Sequence, residues 1–147
     1  MFTFVVLIFS MRHKVIVLVD DDPDDHEVFK MALAELPEPI ICVSYLGGEE
    51  ALEQLRSMEV RPDYIFVDIN MPVIDGFQFL DIIKREDTDL SNTPVIMLST
   101  TSDYEVSRKV KEAGAMTFFT KPSCLMDYVI MLHRILLAAH QPHAENN

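Results

Sequence analysis

The chain has 147 residues, 49% of them hydrophobic, which is enough for one domain with a full core and short for two. Its 24 aspartates and glutamates against 12 lysines and arginines give a formal charge of −12, which argues against a nucleic-acid surface. We therefore expect a protein or a small ion as the binding partner.

Two features bear on the location of the protein. Cys42 and Cys124 lie in apolar stretches without metal-ligand spacing, so we expect free thiols in a reducing cytoplasm. Residues 2–9 are almost entirely apolar, but a helix that spans a bilayer takes about 20 residues, so we expect no membrane span here. We interpret residues 1–13 as an appendage or an upstream start outside the domain, with an extra strand or a membrane-surface anchor as the alternative.

From Lys14 onward the sequence predicts strands and helices in alternation. We predict first a strand from Lys14 to Val19, a helix capped by Asp22 from Pro23 to about Leu36, a strand from Ile40 to Tyr45, a helix from Glu49 to Met58 and a strand from Tyr64 to Asp68. There follow a helix from Gly76 to Arg85, a loop over 86–93, a strand from Pro94 to Leu98, a helix capped by Ser102 or Asp103 as far as Glu112, a strand from Met116 to Thr120 and a helix capped by Ser123 as far as about His140. Residues 141–147 are predicted to be a polar tail.

This order of elements predicts an α/β fold with a doubly wound parallel sheet, because parallel neighbours need crossover helices. Ligands bind such sheets at the carboxyl ends of the strands. The distinctive polar residues all follow strand ends: Asp20 and Asp21, Asp68, Ser99 and Thr100, and Lys121. We interpret Asp22, Asp24 and Asp25 instead as favourable charges at a helix N-terminus.

Three carboxylates at one sheet edge repel one another unless a cation compensates their charge. Oxygen ligands with open coordination positions suit Mg²⁺, which also binds phosphoryl oxygens. Asp68 can then act as the nucleophile toward a phosphoryl group, with Lys121 stabilising its oxygens and Ser99 donating a hydrogen bond to it.

Together the motifs resemble the receiver domain of two-component response regulators, over about Lys14 to His140. They are Val19-Asp20-Asp21, Asp68-Ile69-Asn70-Met71-Pro72 with Asp75-Gly76, Leu98-Ser99-Thr100 and Lys121-Pro122. The resemblance implies a flavodoxin-like sheet of strand order 2-1-3-4-5 with five helices. It also implies a single-domain, chemotaxis-regulator-like protein that takes a phosphoryl group from a sensor histidine kinase or a histidine phosphotransfer protein and is no turnover enzyme.

The resemblance assigns a role to each site residue. Asp68 is the expected phosphoacceptor. The expected Mg²⁺ ligands are Asp20, Asp21, Asp68 and the backbone carbonyl of Asn70. Ser99 is expected to be the switch hydroxyl and Lys121 the phosphate counter-ion, and the Lys121–Pro122 peptide is expected to be cis.

The sequence departs from the family pattern at two positions. Phe118 stands three residues before Lys121, where the family often has a switch tyrosine, so it can swing inward but has no hydroxyl to bond. Thr100 follows the switch hydroxyl where the family often has Ala or Gly. We expect its bulk to obstruct the water that attacks the acyl phosphate.

Two alternatives stay open, a haloacid-dehalogenase-like phosphatase and a receiver-like binding module that is never phosphorylated. Asp20 and its neighbours also resemble the nucleophile loop of such phosphatases, but that loop wants Thr or Val where this chain has Asp24, and it leaves Asp68 unexplained. A calcium loop fails because its glycine position is Asp25 and its terminal glutamate position is Met31.

We expect the domain to pass on its signal by binding another protein through its surface. The domain fills the chain, and we expect no attached DNA-binding or enzymatic module. The last helix is apolar on two sides. One stripe, expected to face the sheet, contains Leu125, Val129, Leu132 and Leu136. We predict that the opposite stripe, Met126, Ile130 and Leu137, binds a downstream protein target or a second copy of the chain.

Overall fold

The computed structural model describes residues 13–86, 88–101 and 103–138, which contain five parallel strands and five α-helices. In chain order these are β1 (Lys14–Val19), α1 (Pro23–Ala34), β2 (Ile40–Tyr45), α2 (Gly48–Ser57), β3 (Tyr64–Asp68), α3 (Gly76–Arg85), β4 (Val95–Ser99), α4 (Tyr104–Glu112), β5 (Thr117–Thr120) and α5 (Leu125–Ala138). A 3₁₀ turn over Asp89–Asn92 lies in the loop before β4. The appendage predicted for residues 1–13, except His13, and the predicted tail over 141–147 lie outside the described residues.

The strand order is β2-β1-β3-β4-β5, with every neighbouring pair parallel, which confirms the predicted fold class. The register aligns the carboxyl ends of the strands at one edge. Asp68 at the end of β3 pairs with Leu98, and Ser99 at the end of β4 pairs with Thr120. The loops after β1, β3, β4 and β5 therefore open at the same edge of the sheet.

Alternate residues of the central strands point to opposite faces, and each face has its own core. Ile16, Leu18 and Phe66 contact α1 and α5 on one side. On the other side, Val17 and Val67 pack against α2, α3 and α4. Because both faces are covered, the central strands are almost continuously apolar. The positions that can accommodate polar side chains therefore begin where these strands end.

Helix starts follow the local side-chain chemistry. Asp22 caps α1 by accepting the N–H of Asp24, and Pro23 opens the helix, as predicted. Asp75 forms a capping box with Gln78 at α3. Asp103 caps α4, so of the two predicted caps it is Asp103 that the structure supports.

Several predicted boundaries were wrong by one or two residues, as helix ends commonly are. The first helix ends at Ala34 rather than about Leu36, and α2 spans Gly48–Ser57 rather than Glu49 to Met58. β4 runs from Val95 to Ser99 and β5 begins at Thr117, each one residue later than predicted.

The segment before α5 differs from prediction in two ways. The helix begins at Leu125, so Cys124 and not Ser123 precedes it, and the carbonyl of Cys124 accepts the N–H of Tyr128. The Lys121–Pro122 peptide is trans, since the described residues contain no cis bond. The cis prediction was therefore wrong. Trans is the lower-energy isomer before proline, by about 0.5–1 kcal/mol. The predicted end near His140 lies outside the described residues.

Candidate functional site

Two carboxylates and a hydroxyl lie buried where strands end. Asp20 follows β1 directly and is 1% exposed, and Asp68 closes β3 and is 4% exposed. Ser99 closes β4 and is equally inaccessible. Asp21 lies beside them but is exposed to solvent. The predicted convergence of these residues on one edge is what the strand register produces.

Lys121 connects the carboxylates from the loop after β5. Its Nζ lies 2.9 Å from Asp20 Oδ2 and 3.1 Å from Asp68 Oδ2. A third carboxylate is closer still, because Asp25 Oδ2 lies 2.7 Å from the same nitrogen. Asp25 was predicted only as a charge at the start of α1, so its contact with Lys121 is a site feature that sequence reasoning missed.

The second oxygens of Asp20 and Asp68 are held by the backbone. Asp20 Oδ1 accepts the N–H of Asp22 at 3.0 Å, and Asp68 Oδ1 accepts the N–H of Asn70 at 3.1 Å. Each carboxylate therefore accepts a bond from a residue two positions later, which fixes both loops against the strand ends.

Burial changes the acidity of the site. It raises the pKa of Asp20 to about 6, although the Asp22 N–H and Lys121 act in the opposite direction. Burial alone would lower the pKa of Lys121, but its hydrogen bonds with Asp25 and Asp20 raise that pKa above its usual range. Lys121 is therefore a cation at any physiological pH, whereas Asp20 ionises only at a cost in free energy.

Asp20, Asp21 and Asp68 each offer an oxygen, and these oxygens lie within 4.8 Å of one another. Hard oxygen donors in such a group are the ligands that Mg²⁺ and similar ions prefer. One of the three residues is exposed, which leaves room for water ligands on that side. The donor set therefore fits a small divalent cation.

Two further side chains border the site from α1 and α5. His26 is 8% exposed, and its Nε2–H donates a hydrogen bond to the backbone carbonyl of Asp20, with the nitrogen 2.6 Å from the oxygen. Tyr128 is 3% exposed, and burial, followed by the charge of Asp25, raises its pKa to about 12. The sequence analysis did not identify His26 as a site residue, because no metal-ligand spacing or other motif marks it.

Ser99 and Thr100 occupy different environments. Ser99 Oγ accepts the N–H of Thr101 at 3.1 Å and lies 3.3 Å from Thr101 Oγ1. Within the described residues this hydroxyl forms no hydrogen bond with Asp68 or Lys121. Thr100 is exposed at the mouth of the site. Of the predicted phosphate-binding residues, the structure therefore brings Lys121 to Asp68 directly and leaves Ser99 bonded to its own loop.

Phe118 packs against the core, and the predicted apolar stripe of α5 faces solvent. Phe118 is half-buried on β5 and packs against the core on the α2–α3–α4 side. Met126, Ile130 and Leu137 are 66%, 47% and 50% exposed, whereas Leu132 on the opposite side of α5 is fully buried. The helix thus buries one apolar stripe and presents the other to solvent, as its sequence pattern predicted.

The loop from Asp68 to α3 approaches the site closely. A Cβ on Gly76 would lie 2.6 Å from the carbonyl oxygen of Asp68, a distance that only glycine can tolerate. Between them, Val73 has a φ of 67° and forms the centre of a turn in which the Ile74 N–H bonds the Pro72 carbonyl at 2.8 Å. The backbone that follows Asp68 is therefore both tightly packed and strained.

Residues 16–132 match the response regulator receiver domain. The chain belongs to this family. Receiver domains bind a divalent metal at an acidic pocket and interact in general with histidine kinases and downstream targets.

Solved receiver structures share the fold over most of the chain. The phosphorylated cyanobacterial phytochrome response regulator RcpA is 29% identical, with a TM-score of 0.78, over 88% of this chain and 98% of its own. The Mn²⁺-bound form of response regulator Rcp1 is 28% identical, with a TM-score of 0.72, over 83% and 91%. The Vibrio cholerae chemotaxis protein CheY4 is 26% identical, with a TM-score of 0.72, over 84% and 99%.

Curated relatives are longer proteins that match this receiver domain over part of their length. A protein-glutamate methylesterase/protein-glutamine glutaminase of Desulfitobacterium hafniense is 36% identical over 74% of this chain and 26% of its own. The DNA-binding transcriptional regulator NtrC of Escherichia coli K12 is 31% identical over 86% and 25%. The chain spans about a quarter of these relatives. No helix in the described part of the chain is long and apolar enough to cross a membrane.

Proposed function

We propose that this receiver domain accepts a phosphoryl group on Asp68, in a Mg²⁺-dependent reaction, from a histidine kinase or a histidine phosphotransfer protein. The observation that supports this most strongly is that Lys121 contacts Asp20 and Asp68, which are two of the three carboxylates whose oxygens cluster at this edge of the sheet. A buried nucleophile, a fixed cation and a metal-binding oxygen set then occupy one pocket.

In the proposed transfer, a carboxylate oxygen of Asp68 attacks the phosphorus of a phosphohistidine. An O–P bond forms, the N–P bond breaks, and the histidine ring leaves with the electron pair. Lys121 lies within hydrogen-bond distance of Asp68 and can donate to a phosphoryl oxygen. Asp20, Asp21 and Asp68, with the backbone carbonyl of Asn70, would hold Mg²⁺, which supplies positive charge to the phosphoryl oxygens.

The proposed switch involves residues that do not touch Asp68 in this structure. Ser99 would exchange its bond with Thr101 for one to the phosphoryl group, and Phe118 would turn inward behind it. The phosphoryl group thus favours one of two arrangements of β4, α4 and β5. Thr100 at the mouth would hinder the water that hydrolyses the acyl phosphate.

The proposed output is protein contact through the stripe of Met126, Ile130 and Leu137, which is exposed on α5. Its partner is a downstream protein or a second copy of the chain. In this proposal the chain acts as a phosphoryl acceptor that signals and not as a turnover enzyme. We place it in the cytoplasm, where Cys42 and Cys124, which form no disulfide here, stay reduced.

Calorimetric titration with beryllofluoride, a phosphoryl mimic, tests this function. With saturating Mg²⁺ the chain should bind one equivalent of the mimic, and without metal it should bind none. Asp68→Asn should abolish binding, because an amide cannot take the place of the carboxylate oxygen that bonds beryllium. Binding that survives Asp68→Asn, or that needs no metal, would overturn the proposal.

A further inference from the structure

Asp25 is a fourth carboxylate of the site, supplied by the first turn of α1. Its Oδ2 lies 2.7 Å from Lys121 Nζ, closer than the oxygens of Asp20 and Asp68 at 2.9 and 3.1 Å. The side chain of Asp25 is 29% exposed and that of Lys121 is 9% exposed. The contact joins residues 96 positions apart and depends on the packing of α1 against the loop after β5.

The ammonium group of Lys121 has only three N–H bonds to share among these carboxylates. It donates hydrogen bonds to Asp25 and Asp68 and forms an ion pair with Asp20 at 2.9 Å. A phosphoryl group on Asp68 needs at least one of these bonds. Every carboxylate that stays in contact with Lys121 therefore leaves fewer of its N–H donors for the phosphoryl group.

Charge has opposite effects on the two ligands of the site. A carboxylate near the pocket attracts a divalent cation and repels a phosphoryl group. Asp25 is not among the three residues whose oxygens form the candidate metal group. Its influence therefore acts through Lys121 and through the field in the pocket.

We propose that Asp25 is a positioning residue that sets the balance between metal and phosphoryl binding, by drawing the charge of Lys121 away from Asp68. The inference rests on the proposed function. Removing the charge of Asp25 weakens Mg²⁺ binding and strengthens binding of the phosphoryl mimic. A residue that only supported the fold would change both affinities in the same direction.

Asp25→Asn tests the proposal, because the amide oxygen can still accept from Lys121 while the charge is lost. Asp24→Asn is the matched control. Asp24 lies in the same first turn, so the helix dipole loses the same charge, but its side chain is exposed and is not among the carboxylates that contact Lys121. Mg²⁺ affinity and, at saturating Mg²⁺, beryllofluoride affinity are measured by calorimetry for both variants and the unsubstituted chain.

Asp25→Asn should bind Mg²⁺ about three- to tenfold more weakly and beryllofluoride about three- to tenfold more tightly, as expected for one partly exposed charge nearby. Asp24→Asn should change neither affinity by more than about twofold. Equal affinities in the two variants, or a loss of mimic affinity in Asp25→Asn, would overturn the role of Asp25. If the unsubstituted chain binds Mg²⁺ but not the mimic, the proposed function fails, and the metal titrations still decide the role of Asp25.

Discussion

Asp20 shows most clearly how a single residue couples the fold to the site. Its pKa rises from 3.8 to about 6, chiefly because of burial. An acid with a raised pKa in the folded state stabilises that state only while it is protonated. Its contribution is therefore present below about pH 4 and is lost as the pH rises through about 6. At neutral pH the metal-free chain carries a buried charge that destabilises it.

We predict that Mg²⁺ raises the melting temperature more at about pH 7.5 than at about pH 5, because protons compete with the metal at Asp20. A ligand at about 100 times its Kd adds roughly 2.7 kcal/mol to the free energy of unfolding. Thermal melts with Mg²⁺ and with chelator at both pH values measure this. Asp21→Ala should abolish the shift, and a shift of equal size at the two pH values would contradict the assignment of Asp20.

The sequence predicts some residues of this site and misses others. Asp20, Asp68 and Lys121 were found because each follows an apolar strand, and parallel strands bring their carboxyl ends together. Asp25 and His26 were not found as site residues. Their contacts depend on how α1 lies against the neighbouring loops, and helix periodicity alone does not give that orientation.

At the scale of elements, the loop between β3 and α3 combines tight packing with strain. Its turn at Val73 has a positive φ, which is costly for a β-branched side chain, by about 1–3 kcal/mol. The side chain itself is 80% exposed and contributes little packing. The conformation therefore persists because Gly76 and Asp68 fix the two ends of the loop.

Val73→Gly should raise the free energy of unfolding by about 1 kcal/mol, since relief of the strain exceeds the entropy cost of a glycine. Val60→Gly is the matched control. Val60 is exposed to a similar degree, at 57%, but has no positive φ, so this change should lower stability by about 0.5–1 kcal/mol. Urea denaturation measures both, and a loss of stability in Val73→Gly would contradict the strain.

The elements themselves were largely predictable, because most of them begin or end at capping, proline or turn residues. Asp22 and Pro23 mark the start of α1, and β3 ends at Asp68 as expected. The strain at Val73 was not predicted. Turn residues on either side signalled a loop, but only the fixed distance between its ends forces a positive φ on valine.

At the scale of the whole molecule, α5 connects the core to a surface. Its buried side carries Leu132 and Tyr128 against the sheet, while Met126, Ile130 and Leu137 face outward. The amphipathic pattern predicted both sides. The sequence does not name the partner, because an exposed apolar stripe specifies chemistry and area but no identity.

Ile130→Glu should weaken self-association or partner binding at least about tenfold, because it places an unpaired charge in the proposed interface. Phosphorylation of Asp68 should be unchanged. Met31→Glu on α1, where the side chain is 56% exposed, is a control that should leave assembly intact. Analytical ultracentrifugation measures self-association. If Ile130→Glu changes neither self-association nor partner binding, this stripe is not the surface through which the domain signals.

Phosphoryl transfer to Asp68 is tested most directly by treating the chain with acetyl phosphate and Mg²⁺, followed by intact-mass measurement and peptide mapping. We predict a mass gain of one phosphoryl group on the peptide that contains Asp68, absent in Asp68→Asn and absent with chelator. A label on Asp20 would favour a haloacid-dehalogenase-like phosphatase. No label from acetyl phosphate or from a histidine kinase would favour a receiver-like binding module and contradict the account.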